Sequence, residues 1–374
     1  MAEDAASANA AADLVPLRFD DLAGWLADDH ASAFATFRRS AEHIIAEPPS
    51  SGALGISAAD LQDVARRALD LAVQPSSTVA RQFFEQNFRP FAVRPHAEAA
   101  FLTGYFEPEV CGSLQPTDIY RYPLYCRPPD LVDVTDRNRP PGWDASYIFA
   151  RRTDGGLVRY FDRADIDAGI LVGRNLELVY LADPIDAFFI HVQGSASIRL
   201  EGGNRMRVAY AAKSGHPYTS IGRRLIERGV ATPETMTLAH LRAWLTENRA
   251  EGAALMRENR SYIFFHELSA IGLDPDLGAI AAAGVQITPE RSLAVDHRQH
   301  TYGTPIWVDA LLPTRADGSS ERVQRLMLAQ DTGSAIVGAA RGDMFMGLGQ
   351  AAGERAGRIR HVPDAFVVLK PIRD

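Results

Sequence analysis

Between residues 101 and 193 the chain never keeps one periodicity for long. Short β-rich pieces, at residues 120–125, 147–150, 176–181 and 188–193, are cut apart by Gly, Pro and Asp. Strands at such close spacing predict a barrel or a compact sandwich rather than an open helix-covered sheet.

The flanks read differently. Residues 1 to about 98 read as helix. Asp20 and Asp21 precede a run with Leu22, Trp25 and Leu26, and Ala33, Phe34, Phe37, Ile44 and Ile45 continue the stripe at helical spacing. Pro48-Pro49-Ser50-Ser51-Gly52 breaks it. Ser57 then suits the N-cap of a helix carrying Leu61, Val64, Ala65, Leu69 and Leu71, and a third helix runs from Ser77 through Phe83, Phe84 and Phe88, aromatics that read as core. Residues 220–228, closed by Gly229, and 238–258 form a helical interlude. After Ser261 strands are expected at 263–265, 306–308, 323–329 and 365–369. A chain that begins helical, ends β and carries a β block between suggests an insertion. The expected division is 1–100, 101–260 and 261–374, with the outer two forming one domain.

Composition narrows the chemistry. With 46% apolar and 23% charged residues the 374-residue chain is a soluble globular protein, long enough for two domains. A net charge of −8 and no basic run argue against nucleic acid or an anionic membrane as partner. No stretch approaches the roughly 18 apolar residues of a membrane helix. Residues 1–13 are Ala-rich and acidic and read as neither signal peptide nor lipid anchor. Two cysteines, Cys111 and Cys126, exclude a four-thiolate zinc site, and whether they pair is open. His297 and His300, three apart, read as a solvated loop. No metal and no cofactor are called for.

The most informative stretch lies near the C-terminus. Asp331 follows a β-type run and enters the turn Asp331-Thr332-Gly333-Ser334; Asp343 stands in Gly342-Asp343-Met344-Phe345-Met346-Gly347; Asp296 precedes a turn and a strand. A carboxyl among apolar neighbours, with a second carboxylate close by, has its pKa raised. The ordinary value near 3.9 leaves about 7% of Asp protonated at pH 5, whereas a value of about 6 leaves roughly 90%, enough to donate to a glycosidic oxygen. Three other segments offer the mixture of flat rings and polar groups that sugars need. They are Thr103-Gly104-Tyr105-Phe106-Glu107-Pro108, read as exposed aromatics, Val192-Gln193-Gly194-Ser195, read as following a strand, and Gly215-His216-Pro217-Tyr218, read as opening a helix.

Taken in order, these segments resemble the membrane-bound lytic murein transglycosylase A family. The likeness also includes Tyr122-Pro123-Leu124-Tyr125, Phe189-Ile190-His191 and Ser220-Ile221-Gly222, and covers roughly residues 101–370. The resemblance implies a mainly β protein with a helical N-terminal segment. Its double-psi β-barrel (the 3D domain) would be built from both ends of the chain, with a second β-barrel inserted and a groove between them. It implies an exo-acting carbon–oxygen lyase that splits the β-1,4 bond between N-acetylmuramic acid and N-acetylglucosamine without water, leaving 1,6-anhydro ends. The catalytic acid then falls on Asp343 and its helper on Asp331, with Asp296 supporting. Gln193, Gly194, Ser195, Thr103, Tyr105 and Tyr218 are the sugar-binding candidates. The partner implied is the glycan strand of peptidoglycan, within a cell-wall synthesis or degradation complex, in the periplasm and at the outer membrane for a full-length anchored form. Met344-Phe345-Met346 departs from the polar aromatic common after the family's acid.

Three alternatives stand beside this reading. Asp331-Thr332-Gly333-Ser334 matches an aspartic-protease signature, but such an enzyme needs a second Asp and the chain has no second copy of the motif. A non-catalytic murein-binding module would keep the fold without the chemistry. An ordinary hydrolase would bring water to the new end. The run from Gly347 to Gly353 suggests a dinucleotide loop only superficially, since no strand–helix frame is expected around it.

Overall fold

The computed structural model describes residues 11–144, 146–233, 235–268, 273–315 and 317–373. The first ten residues, on which most of the reading of the leader rests, lie outside these. The described chain opens with a strand, β1 (Ala12–Pro16), and two short 3-10 turns. Helix α1 (His30–Ala46) starts only at Asp29, whose carboxylate accepts the Ser32 N–H. Leu26, expected on its apolar stripe, is 74% exposed. The stripe is broken because Asp28 and Asp29 have other partners. Helices α2 (Ala58–Asp70) and α3 (Ser77–Asn87) follow, capped by Ser57 and Ser76. Phe88, expected inside the third helix, instead begins β2 (Phe88–Pro95), which leads to β3 (Phe101–Glu107). The N-terminal segment is therefore helical and β together.

The middle of the chain carries β4 (Glu109–Ser113), β5 (Tyr122–Tyr125), β6 (Leu131–Asp133), β7 (Phe149–Thr153), β8 (Gly156–Val158), α4 (Arg163–Asp167) and β9 (Glu177–Leu181). Next comes α5 (Pro184–Gln193), whose second half was expected as strand. Asp183 accepts the Ile185 N–H, Pro184 sits in the first turn and Gly194 closes the end at φ 83°. These start and stop signals outweigh the β preference of the Phe and Ile residues between them. Beyond it lie β10 (Ser195–Leu200), β11 (Arg205–Lys213) and α6 (Ile221–Glu227). The single helix expected over 238–258 is broken at Asn248 into α7 (Leu238–Glu247) and α8 (Arg249–Glu258), and β12 (Ile263–Leu268) ends the block. The C-terminal part holds β13 (Ser292–Val295), β14 (Pro305–Leu312), β15 (Glu321–Asp331), β16 (Arg341–Leu348), α9 (Gly349–Ala356), β17 (Arg360–His361) and β18 (Ala365–Pro371). A strand–helix frame thus does surround Gly347–Gly353. Gly353 is used for packing there, because a Cβ would lie 2.7 Å from the Phe106 ring.

Two compact units result: residues 1–106 with 273–374, and residues 107–272. In the first, among the described residues, nine strands form one sheet in the order β1-β2-β18-β14-β15-β13-β16-β3-β17. Strands from the two ends of the chain interleave, so neither end can close the sheet alone. The three helices bury Phe34, Phe37, Phe83, Phe84 and Phe88 in one aromatic cluster, with Phe34 and Phe83 centroids 5.0 Å apart. These are core, as their spacing predicts. Asp28 and Arg291 form a buried bidentate pair, both arms 2.8 Å, and Asp28 also accepts the Leu326 N–H at 2.9 Å. That pair fastens the segment before α1 to β15.

The second unit holds a six-stranded sheet, β12-β11-β10-β4-β9-β5, and a three-stranded one, β6-β7-β8. Its helices α5 to α8 share a core of Phe188, Phe189, Leu225, Leu245 and Leu255. Cys111 and Cys126 are both free thiols.

Candidate active site

Register places the two acids. β13 runs parallel to β15 and antiparallel to β16, so Ala294 has Asp331 beside it on one flank and Asp343 on the other. Residues in register project to the same face, and two strand spacings put the acids' backbones about 9–10 Å apart. The alignment on β15 depends on a β-bulge. Leu293 pairs with Ala329 but Ala294 pairs with Asp331, which leaves Gln330 as the extra residue. Without the bulge Gln330 would sit beside Ala294 and Asp331 would face the other way. Gln330 is fully buried and anchored: its amide donates to Ser40 Oγ at 2.7 Å and to the Thr36 carbonyl at 3.3 Å, and its Oε1 accepts from the Ser292 hydroxyl.

The neighbouring β3 supplies the partners. Thr103 and Tyr105 share a face, being two apart. The Thr103 hydroxyl donates to Asp343 Oδ1 at 2.6 Å and the Tyr105 hydroxyl to Asp331 Oδ2 at 2.8 Å. Neither Tyr105 nor Phe106 is an exposed aromatic; both are half-buried, because β3 packs closely on α9. Gly104 permits that approach, since a Cβ there would lie 2.8 Å from Ala356 Cα and 3.0 Å from its carbonyl oxygen. The Tyr105 ring stands 5.3 Å from that of Phe345 while its hydroxyl reaches Asp331.

Both carboxyls are pushed above the ordinary Asp value, by burial first in each case. Asp343 is half-buried. The Arg341 charge and the Thr103 hydrogen bond pull its pKa back, while the Asp331 charge raises it further, and burial prevails. Asp331 accepts more donors: Tyr105, the Thr332 N–H at 2.8 Å and the Ala282 N–H at 3.4 Å. Donors favour the anion, so of the two Asp343 is better suited to hold a proton and Asp331 to stay charged.

Asp296 does not join them. It is buried with its carboxylate bound to Arg298, at 2.9 and 3.0 Å, and to the Gly338 N–H at 3.0 Å. Despite its burial, those bonds hold its carboxyl below the usual range. It shapes the turn before β16. His300 is also not solvated: it is 1% exposed and its Nε2 lies 2.7 Å from the Ala339 carbonyl.

Comparison with known proteins bears on this geometry. A model of the MltA-specific insert domain matches residues 101–266, and one of the 3D domain matches residues 291–369. The solved membrane-bound lytic murein transglycosylase from Agrobacterium tumefaciens superposes with a TM-score of 0.88 at 42% identity, covering 96% of this chain and 98% of that one. The chain belongs to the membrane-bound lytic murein transglycosylase A family. MltA from Neisseria gonorrhoeae matches with a TM-score of 0.78 at 30% identity, covering 96% of this chain and 93% of that one. E. coli MltA with bound chitohexaose gives 0.66 at 25% identity, covering 96% and 92%. The curated MltA of Vibrio cholerae is 33% identical over 263 residues, 69% of this chain and 62% of that protein, so the matched stretch spans less than two thirds of that relative. The mainly β architecture expected from the resemblance is the one observed.

The other residues singled out by likeness to the MltA family lie in the second unit. Gln193 ends α5, Gly194 adopts the left-handed conformation that closes it, and Ser195 opens β10, so the stretch joins a helix to a strand instead of following a strand. Tyr218 is 40% exposed, just before the α6 cap Ser220. Sequence reasoning missed Arg341, whose Nη2 donates to Thr103 Oγ1 at 2.7 Å. Its position two before Asp343 on a strand was the available signal. It also missed Gln330, since a bulge leaves no mark in an apolar run. Among the described residues no group of three or more His, Cys, Asp or Glu is placed to hold a metal, and no helix is long and apolar enough to cross a membrane.

Proposed function

We propose that the chain is a lytic transglycosylase that cleaves the β-1,4 bond between N-acetylmuramic acid and N-acetylglucosamine in peptidoglycan, with Asp343 as its single acid and base. The observation that carries this reading is the pair of in-register carboxyls flanking Ala294, one of them half-buried, raised in pKa and held by a single hydroxyl.

Protonated Asp343 gives its proton to the bridging oxygen, and the bond from C1 of the muramic acid to that oxygen breaks as positive charge develops at C1. The C6 hydroxyl of the same sugar attacks C1, and its proton passes to the Asp343 carboxylate. The ring closes, water takes no part and the acid is regenerated. Asp331 favours the protonated start by its charge and stabilises the positive centre in transit. Thr103 orients the Asp343 carboxyl, and Arg341 orients Thr103. Gln193, Gly194, Ser195 and Tyr218 are proposed to contact sugars, with the periplasmic cell wall as the setting and the glycan strand as partner.

Digestion of purified sacculi followed by mass spectrometry tests the reading. Wild type is expected to release anhydro-muramic ends, and Asp343→Asn to lose this activity by 10²-fold or more, on the order of a positioned general acid. Reducing ends labelled from ¹⁸O-water would instead reveal a hydrolase.

A further inference from the structure

The second unit contains a cavity of about 930 Å³ that the chemistry above does not use. None of Gln193, Gly194, Ser195 or Tyr218 lines it. Its walls include Tyr122, Tyr125 and Tyr180 from β5 and β9, with Tyr262 and Phe188. Its charges are unevenly satisfied. Arg163 is 3% exposed, yet its guanidinium is held by neutral groups: the Asn259 carbonyl at 3.0 Å, the Ser261 carbonyl at 2.8 Å and His191 Nδ1 at 3.3 Å. Among the described residues no carboxylate lies within ion-pairing distance of it. Of the nearby acids, Asp183 pairs with Arg249 at 3.1 Å, and Asp167 lies 3.7 Å from Arg257, feels the Arg163 charge without touching it, and is pushed up overall by burial. Arg163 also lies over the Phe188 and Tyr262 rings, 4.9 and 5.0 Å from their centroids, so an anion reaching it would meet a guanidinium already braced by rings and carbonyls.

The rim adds a second charge of each sign. Arg121 and Glu177 line the cavity from opposite ends of the β5–β9 pairing, and neither forms an ion pair among the described residues. Arg121 bonds through its backbone to Leu181, four residues along β9 from Glu177. At about 3.3 Å per residue the two ends lie about 13 Å apart along the strand. That is the span of three to four extended residues. The ligand that fits carries carboxylates toward Arg121 and Arg163, an amine toward Glu177, and short side chains against tyrosines. Glycan sugars lack that charge pattern.

We propose that this cavity binds the peptide stem of murein, a short peptide bearing free carboxylates and a diamino acid, at a site separate from the acid pair. This rests on the transglycosylase reading for its choice of peptide. The recognition itself needs only the charges and rings of this unit.

The test uses the full chain and the synthetic tripeptide L-alanyl-γ-D-glutamyl-diaminopimelate. Calorimetric titration is expected to show saturable binding that Arg121→Ala weakens tenfold or more and that amidation of the carboxylates abolishes. Arg121 is exposed and its side chain makes no hydrogen bond or ion pair among the described residues, so this variant is expected to keep the fold. For Arg163, Arg163→Lys retains the charge but loses the planar fork and its bonds to the Asn259 and Ser261 carbonyls, and is expected to weaken both tripeptide binding and resistance to urea. In turnover, Arg121→Ala is expected to lower kcat/KM about tenfold on peptide-bearing strands and to leave it unchanged on strands stripped of peptide by an amidase. No tripeptide binding by wild type, or an equal fall on both substrates, overturns the proposal. If wild type releases anhydro ends from neither substrate, the transglycosylase reading fails instead, and the titration still decides the cavity.

Discussion

Asp331 and Asp343 meet across a single strand, each in register with Ala294, and Asp331 reaches that position through a bulge at Gln330. The charge of Asp331 raises the pKa of Asp343. Replacing it by a neutral isostere removes that push. Asp331→Asn is therefore expected to move the alkaline limb of the kcat/KM profile toward acid, because in the proposed mechanism Asp343 must be protonated to act and now loses its proton at lower pH. A profile that keeps its limb and merely falls in height would assign Asp331 a purely structural part.

Thr103 acts in the opposite sense. Its hydrogen bond favours the Asp343 carboxylate. Thr103→Val removes the hydroxyl at nearly constant volume, so the limb is expected to shift toward alkali while kcat falls through loss of orientation. Opposite limb shifts in Thr103→Val and Asp331→Asn are the signature of two groups titrating one carboxyl. Steady-state rates on defined glycan strands between pH 4 and 9 measure both.

Much of this site is legible in the chain itself, and the reasons differ by residue. Asp331 is visible as an acid closing a β-type run and Asp343 as one in a Gly-flanked segment, which proves to lie within β16, and the partners Thr103 and Tyr105 as neighbours in one motif. Their pairing with the acids is not visible, because it depends on β3 lying beside β16 across more than 200 residues of chain. Asp296 looks equivalent to the other two in sequence. Only the Gly338 turn and Arg298 reveal that its carboxylate is already committed. Within α5, Phe and Ile favour strands, whereas Asp183, Pro184 and Gly194 are ordinary helix punctuation. Local capping outweighs residue preference wherever the two conflict over so short a span.

Gly104 carries a packing prediction. An added Cβ meets backbone atoms of Ala356, which cannot rotate away. Gly104→Ala is expected to destabilise the first unit by about 1–3 kcal/mol, the ordinary penalty for overpacking. It should also lower activity out of proportion to the folded fraction, since Thr103 and Tyr105 flank it and lose their aim. Urea titration gives the first quantity, and the rate per folded molecule the second.

Gln330 separates position from chemistry. Gln330→Leu keeps the bulk but leaves Ser40 and Ser292 without their buried partner, at a cost of about 1–3 kcal/mol per unsatisfied group. If the bulge relaxes, Asp331 leaves the face it shares with Asp343. The variant is then expected to reproduce the acid-ward limb shift of Asp331→Asn although no acid has been changed. A destabilised variant with a wild-type pH profile would show that the bulge survives without its anchor.

His300 links stability to the approach of β16. Burial lowers its pKa to about 4, and its Nε2 bonds the Ala339 carbonyl, two residues before β16 begins. The unfolded chain, with an ordinary value near 6.5, binds this proton first. Stability must therefore rise with pH between about 4 and 6.5 and be lost on acidification through that window, by up to about 1.4 kcal/mol per pH unit for this one group. Buried His191 adds a slope of the same sign, so the contribution of His300 is read as a difference. His300→Gln can keep a donor toward Ala339 without a titrating ring. Its urea-unfolding free energy is expected to fall less steeply below pH 6.5 than that of wild type, with the two curves parallel above pH 7.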